Sequence, residues 1–214
     1  MAGAAASIVI PIAGTTFAEV RAIPRAQRLR ERLIDVTKQF AVTLDDAITP
    51  LANSVAAISS STNQAERSRC QGQLIQAVVD AAARLCGDNR TRATFYEARP
   101  ARGQIMTLVR RAYAGRGGTQ PRLRFVRDEA GRDNAVIGLV EAREVHFIED
   151  VKAEFPGQYD GKDYGTLIAV SVPGAERDCG MLAIDAPDPG DLEQIHVHTM
   201  QALAALLGSG LVAR

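Results

Sequence analysis

The sequence lacks paired cysteines, an excess of either charge and any cluster of histidines. Cys70, Cys86 and Cys179 form no Cys-x-x-Cys pair and leave an odd count, which argues against a disulfide framework and a zinc knuckle and suits a reducing compartment. His196 and His198 stand two apart on an expected helix, roughly 200° around its axis, and His146 stands alone in an expected strand. A metal site needs clustered ligands, so none is expected and all three read as structural or exposed. Lys+Arg and Asp+Glu are both 25, so the overall basic excess of a nucleic-acid binder is missing. Lysine itself is scarce, only Lys38, Lys152 and Lys162, and arginine carries almost all the positive charge.

What is present is ordinary soluble-protein material: 214 residues, 46% hydrophobic and 23% charged, too apolar and too neutral for wholesale disorder and long enough for one or two domains. The zero net charge is a cancellation between blocks. Residues 1–18 carry no charge, residues 19–38 carry +3, residues 88–132 carry +7 and residues 133–214 carry −9. Opposed blocks of this size suit strands and loops folded against one another, or paired across a dimer.

Residues 1–24 form an uncharged apolar head that ends in a few charges, with Arg25, Arg28, Arg30 and Arg32 following. Its 18 uncharged residues sit at the lower limit for a bilayer span, and the order of charges would keep the downstream side in the cytoplasm. A membrane contact through this head is one expectation, and a loosely docked apolar terminus is the other. From Pro24, a stripe of Leu29, Leu33, Val36, Phe40, Leu44, Ile48, Leu51, Val55 and Ile58 repeats about every 3.6 residues and predicts a long amphipathic helix of coiled-coil type over 25–65. It serves either as a dimer helix relaying a signal or as a helix packed on its own domain. Pro50 should kink it or end it near Thr49. Ser59 to Gln64 is the best linker composition in the chain and marks an expected boundary before a domain at 70–214.

Within that domain, Gln73–Leu85 reads as a helix, followed by strands at 91–97 and 105–113 and by a strand or loop at 122–127. A short helix is expected at 134–144 and a short strand at 145–150. Strands 166–172 and 180–185, joined by turn residues, should form an antiparallel hairpin. Asp191 should cap a last helix from Leu192 to about Leu207. The order specifies an α+β domain with helices gathered against an antiparallel sheet. Gly115, Gly117 and Gly118 lie among Arg110, Arg111, Arg116, Arg122 and Arg124, a combination that could cradle an anion. Their spacing matches neither a P-loop nor a dinucleotide fingerprint, which favours a strand-connecting loop.

LeuIleAlaValSerValPro (167–173), a turn, GlyMetLeuAlaIleAspAlaPro (180–187) and an acidic-capped helix ending AlaLeuAlaAlaLeuLeuGly (202–208) resemble the C-terminal half of a GAF domain. Residues 138–151 are similar to that family's helix and strand before the ligand-facing loop, and 74–85 to its first helix. The resemblance covers roughly residues 70–212 and implies a GAF-like central antiparallel sheet flanked by helices. It also implies a sensory or regulatory role: an unidentified small molecule, a homodimer and an output protein in trans, in the cytoplasm or membrane-associated through the N-terminus. No particular cofactor follows. Carried onto this chain, the ligand-facing segment would contain Phe147, Asp150, Phe155, Tyr159, Asp163 and Tyr164, aromatic walls with a few carboxylates.

The polar fingerprints of individual branches are weaker. The Asn-Lys-Phe-Asp-Glu signature of the cyclic-nucleotide-binding members is not found, and Cys70 and Cys86 are poorly placed for a bilin. In the loop where the methionine sulfoxide reductase branch would place its nucleophile, residues 157–164 hold no cysteine. A non-catalytic sensor is therefore expected, with a small thiol enzyme of that branch or a ligand-free dimerisation module as alternatives.

Overall fold

The structure is a computed structural model and describes residues 45–87, 90–101, 104–129, 131, 133–157, 161–175 and 178–213. The apolar head and the first half of the amphipathic stripe lie outside these residues. The helical residues 45–60 form α1. They are followed by α2 (Gln64–Leu85), β1 (Arg92–Ala101), β2 (Gln104–Gly115), β3 (Arg124–Val126) and α3 (Asn134–Ala142). Then come β4 (Val145–Ile148), the single turn α4 (Val151–Glu154), β5 (Thr166–Val172), β6 (Gly180–Ala186) and α5 (Gln194–Val212).

The six strands make one sheet in the order β3-β2-β1-β6-β5-β4, and every neighbouring pair is antiparallel. Side chains alternate across a sheet, so each strand supplies two different surfaces. Ala93, Phe95, Ile168, Val170, Leu182 and Ile184 point to one face and form the main core with Leu74, Val78 and Val79 of α2 and Met200, Leu203 and Leu207 of α5. The other face carries a smaller cluster in which Tyr96, Leu108, Ala169 and Met181 meet Ile137, Leu139 and Val140 of α3. The polar chemistry lies on the same face at the other ends of these strands, where Arg92 pairs with Gly115 and Asp185.

Several local outcomes differ from the sequence reading. The helix continues through Pro50 to residue 60. A proline removes one donor, and burial of Leu51 and Ile58 in the main core holds the helix across it, while the Pro50 carbonyl accepts a bond from Ser54 Oγ at 2.9 Å. Along these residues the apolar stripe packs on its own domain: Ala47, Leu51 and Ile58 are part of the main core, with Ile48 and Val55 against it. The polar break at residues 61–63 therefore joins two helices of one packing unit that begins at Asp45. The second helix starts nine residues before the expected Gln73, because Asn63 caps it, its side chain accepting from Ala65 N at 2.8 Å. Residues 122–127 do include a strand, the three-residue edge strand β3.

At the last helix, Asp191 is not the cap. Glu193 is, in a reciprocal capping box with His196, whose Nδ1 accepts from Glu193 N at 2.9 Å. Leu192 is then free to bury in the main core. This last helix is long and apolar enough to cross a membrane by length and composition. Seven of its residues are buried in the domain, Met200, Leu203 and Leu207 among them, so its apolar face already has a partner.

Candidate functional site

Four charged side chains meet where the ends of β1, β2 and β6 come together with the segment that leads into β5. Arg92 opens β1 and stands directly opposite Asp185 near the end of β6. Arg116 follows the last residue of β2, and Asp163 lies three residues before β5. Arg92 Nε donates to Asp185 Oδ2 at 3.1 Å, and its two terminal nitrogens reach both oxygens of Asp163, each at 3.2 Å. Arg116 repeats the bridge, donating to Asp163 Oδ2 at 3.2 Å and to Asp185 Oδ1 at 2.5 Å. Arg92 Nη1 also donates to the carbonyl of Thr119 in the β2–β3 connection. Two guanidiniums and two carboxylates thus cancel in a ring, the condition under which charges tolerate burial.

The backbone makes this ring possible. Gly115 has φ +106°, and a Cβ there would sit 2.1 Å from the carbonyl oxygen of Thr91. Only glycine allows the chain to approach so closely, and the next residue, Arg116, then donates its N–H to that same carbonyl at 2.7 Å. On the other side, Gly165 packs against Pro187 and Pro189, donates to Ala186 O at 2.9 Å and accepts from Val151 N at 2.8 Å, which fixes the segment carrying Asp163.

Arg92 is the deepest member at 4% side-chain exposure, Asp185 and Arg116 are nearly as buried at 12% and 13%, and Asp163 is the most open at 31%. Burial works to raise the Asp163 pKa, but the hydrogen bond and charge of Arg92, with the charge of Arg116, outweigh it and hold the carboxyl below its usual range. For Asp185 the balance reverses: burial pushes its pKa up against the same two guanidiniums. Arg116 Nε is buried with no acceptor among the described residues. On the same sheet face, Thr94 and Tyr96 continue the β1 alternation from Arg92, with Ala183 opposite Thr94. Burial, with the Asp185 charge, pushes the Tyr96 phenol up to about 12.

The described residues among those expected to line a pocket lie in different places. Asp163 joins the ring, and Tyr164 beside it is half-buried. Phe147 points to the opposite side of the sheet and packs against the main core, because β4 pairs it with Ile168 on the helix face. Asp150 is the N-cap of α4, accepting from Lys152 N and Ala153 N, and Phe155 closes that turn as its C-cap. Tyr159 lies outside the described residues. Arg92 and Asp185 were not anticipated. A carboxylate inside the otherwise apolar GlyMetLeuAlaIleAspAla strand was the available signal, since a buried charge demands a partner.

The remaining arginines of the +7 block are largely paired as well. Arg111 and Arg99 meet Glu97 inside the block, whereas Arg122 meets Asp133 and Arg127 meets Glu141 of the acidic block. Opposed charge blocks are thus folded against one another within the domain. Burial pushes the Cys86 thiol up to about 12 and also raises Cys179, with Asp178 and Glu97 adding to it, so both are held toward the protonated form. No group of three metal-ligating side chains occurs among the described residues. A separate cleft of about 210 Å³ lies at the far end of β5, lined by Arg143, Glu144, Ser171, Asp178 and Gln201 among others.

An antiparallel sheet with a helix pair on one face, and a short helix, loops and a charged ring on the other, defines an α+β domain. Comparison with solved structures gives the same answer: the domain has a GAF-like fold. It is similar to the GAF domain of the cyanobacteriochrome TePixJ, with 13% identity, 72% of this chain and 92% of that one covered, and a TM-score of 0.51. A segment of a methyl-accepting chemotaxis protein, residues 122 to 287, matches at 18% identity over 74% of this chain and 94% of its own, TM-score 0.53. The methionine sulfoxide reductase fRMsr of Staphylococcus aureus, solved in complex with substrate, matches at 13% identity over 78% and 95%, TM-score 0.54. No family model and no curated protein matches the sequence.

Proposed function

We propose that this is a non-catalytic sensory domain that binds a small molecule on the sheet face opposite the α2–α5 pair, beside the Arg92–Arg116–Asp163–Asp185 ring, and reports the binding to a partner. The observation that carries the reading is the ring itself. It ties the segment before β5 to the ends of three strands through groups that a polar ligand can compete for. The similarity to a chemotaxis-protein segment and to a cyanobacteriochrome GAF domain supports sensing as the class of role. A homodimer and an output protein acting in trans belong to the same proposal. Within residues 45–60 the amphipathic stripe is engaged by the domain's own core, so a dimer would be built from other surfaces.

The likeness to fRMsr supports a second reading, thiol-based reduction of a small sulfoxide. The raised pKa values of Cys86 and Cys179 weigh against it, because the thiolate is the reactive form. Thermal-shift measurements on the full chain with panels of amino acids, nucleotides and organic acids test the sensory reading. At least one class should raise the melting temperature with saturation. No response from any compound would leave a dimerisation module. Methionine sulfoxide turnover that is lost on changing Cys70, Cys86 or Cys179 to serine would establish the enzyme instead.

A further inference from the structure

We infer that the Arg92–Arg116 pair is a carboxylate-recognition site whose resident occupant is Asp163, and that the molecule sensed carries a single carboxylate that exchanges with it. The inference rests on the sensory reading and names the ligand class for the same site. Three observations carry it. Asp163 is held as a free carboxylate ligand would be, both oxygens on the Arg92 fork at 3.2 Å and one shared with Arg116 at 3.2 Å. It is also the member of the ring that can leave: its side chain is 31% exposed against 4% for Arg92 and 12% for Asp185, and it belongs to an irregular segment whereas Arg92 and Asp185 belong to central strands. Finally, Arg116 Nε is buried with no acceptor among the described residues, a donor that Asp163 does not use and an incoming group could.

Charge decides the ligand. With Asp163 in place the ring is neutral. With Asp163 withdrawn, two guanidiniums face Asp185 alone and the site carries one positive charge. A single carboxylate restores neutrality, whereas a phosphate dianion overcompensates in a buried setting where imbalance is costly. Exchange would release Asp163 from the strand ends while Gly165 stays anchored to Ala186 and Val151, which converts occupancy into a change in the segment just before β5.

The test uses the full chain carrying Asp163→Ala, with sodium acetate as the probe and acetamide, matched sodium chloride and inorganic phosphate as comparisons. Asp163→Ala should melt below the parent chain, and acetate should raise its melting temperature saturably by about 3 °C or more. The parent chain, whose site is filled, should respond less, and Arg116→Gln combined with Asp163→Ala should lose the response. Should Asp163→Ala fail to fold by circular dichroism, Asp163→Asn keeps the side-chain shape without the charge and serves with the same readout. A folded variant that acetate moves no more than acetamide or chloride overturns the inference. A phosphate response equal to acetate overturns the single-carboxylate assignment. In the parent-chain panel, stabilisation by uncharged compounds only overturns this inference and leaves the sensory reading standing. Acetate rescue of the variant with no parent-chain response to any compound keeps the carboxylate geometry and removes the sensory reading.

Discussion

Arg92 and Asp163, 71 residues apart in the chain, meet in a two-point contact with both Nη–Oδ distances at 3.2 Å. The contact is asymmetric in depth, since Arg92 is buried and Asp163 is one-third exposed. Replacing Arg92 with Met should therefore cost about 3–5 kcal/mol, because Asp185 is left buried with one guanidinium instead of two. Asp163→Asn should cost about 1 kcal/mol, since water screens the more open partner. Urea denaturation of both variants measures the difference, and equal costs would contradict the depth argument.

Stability should fall in alkali. The Cys86 thiol rises from 9.0 to about 12 in the folded state, and the Tyr96 phenol from 10.0 to about 12. Both groups keep their protons when folded at pH values where the unfolded chain has lost them. Their contribution is therefore complete below about pH 9 and declines as pH climbs toward 12, the folded chain binding more protons throughout that window. Melting temperatures between pH 8 and 11 should drop more steeply for the parent chain than for a Cys86→Ala, Tyr96→Phe double variant. Parallel profiles would argue that neither group is held as described.

Asp163 acts in the opposite direction. Its lowered folded pKa gives a contribution that is present above the unfolded carboxylate range and lost as pH falls through the folded value. Asp163→Asn should flatten the acid limb of the stability profile, measured as the urea midpoint from pH 6 to pH 3. An unchanged limb would show that Asp163 carries no pH-dependent part of the ring.

Two glycines in the same loop should behave differently. Gly115→Ala places a methyl group 2.1 Å from Thr91 O at a positive φ, displaces Arg116 and should cost about 2–3 kcal/mol. Gly117 has open space around its Cβ position, so Gly117→Ala should change stability by less than about 1 kcal/mol. Thermal unfolding of the two variants compares them directly. A large loss at Gly117 or none at Gly115 would place the close approach elsewhere.

The edge of the folded unit can be read by truncation. Ala47, Leu51 and Ile58 belong to the main core, so a chain starting at Asp45 should unfold cooperatively, whereas one starting near Glu66 should lose several kcal/mol with those side chains. Equal stability of the two would mean that α1 only rests on the surface.

The α+β architecture was legible because apolar runs such as ThrLeuIleAlaValSerVal and GlyMetLeuAlaIleAsp are too short for helices, the first is also rich in β-branched residues, and turn residues separate them. Strand β2 was harder to phase. A bulge at Arg111 lets Tyr96 pair with Arg110 and Phe95 with Ala112, which returns Ala112 and Ala114 to the core face and leaves Tyr113 on the other. Alternation alone cannot show such a one-residue shift. The proposed binding face suffered the same limitation: Phe147 looked like a pocket wall in the sequence, but its register with Ile168 turns it to the α2–α5 side. The charge blocks were read from counts, and their pairing within the domain became visible only when Arg92 and Arg116 were seen to share Asp163 and Asp185, contacts that span 47 to 93 residues. Sequence spacing carries no signal for contacts of that range.

The most direct measurement of the central claim is titration calorimetry of the compound that stabilises the full chain best in the thermal-shift panel, against the parent chain and against Ala183→Leu. Ala183 is half-buried on the sheet face opposite the α2–α5 pair, at the border of the smaller α3 cluster, across from Thr94 and two residues before Asp185, so a larger side chain there fills the proposed binding face without entering the main core. Saturable binding to the parent chain, lost in a variant that keeps its melting temperature, is the result expected. Undiminished binding to folded Ala183→Leu, or no saturable binding to the parent chain, would contradict the assignment of this face as the sensing site.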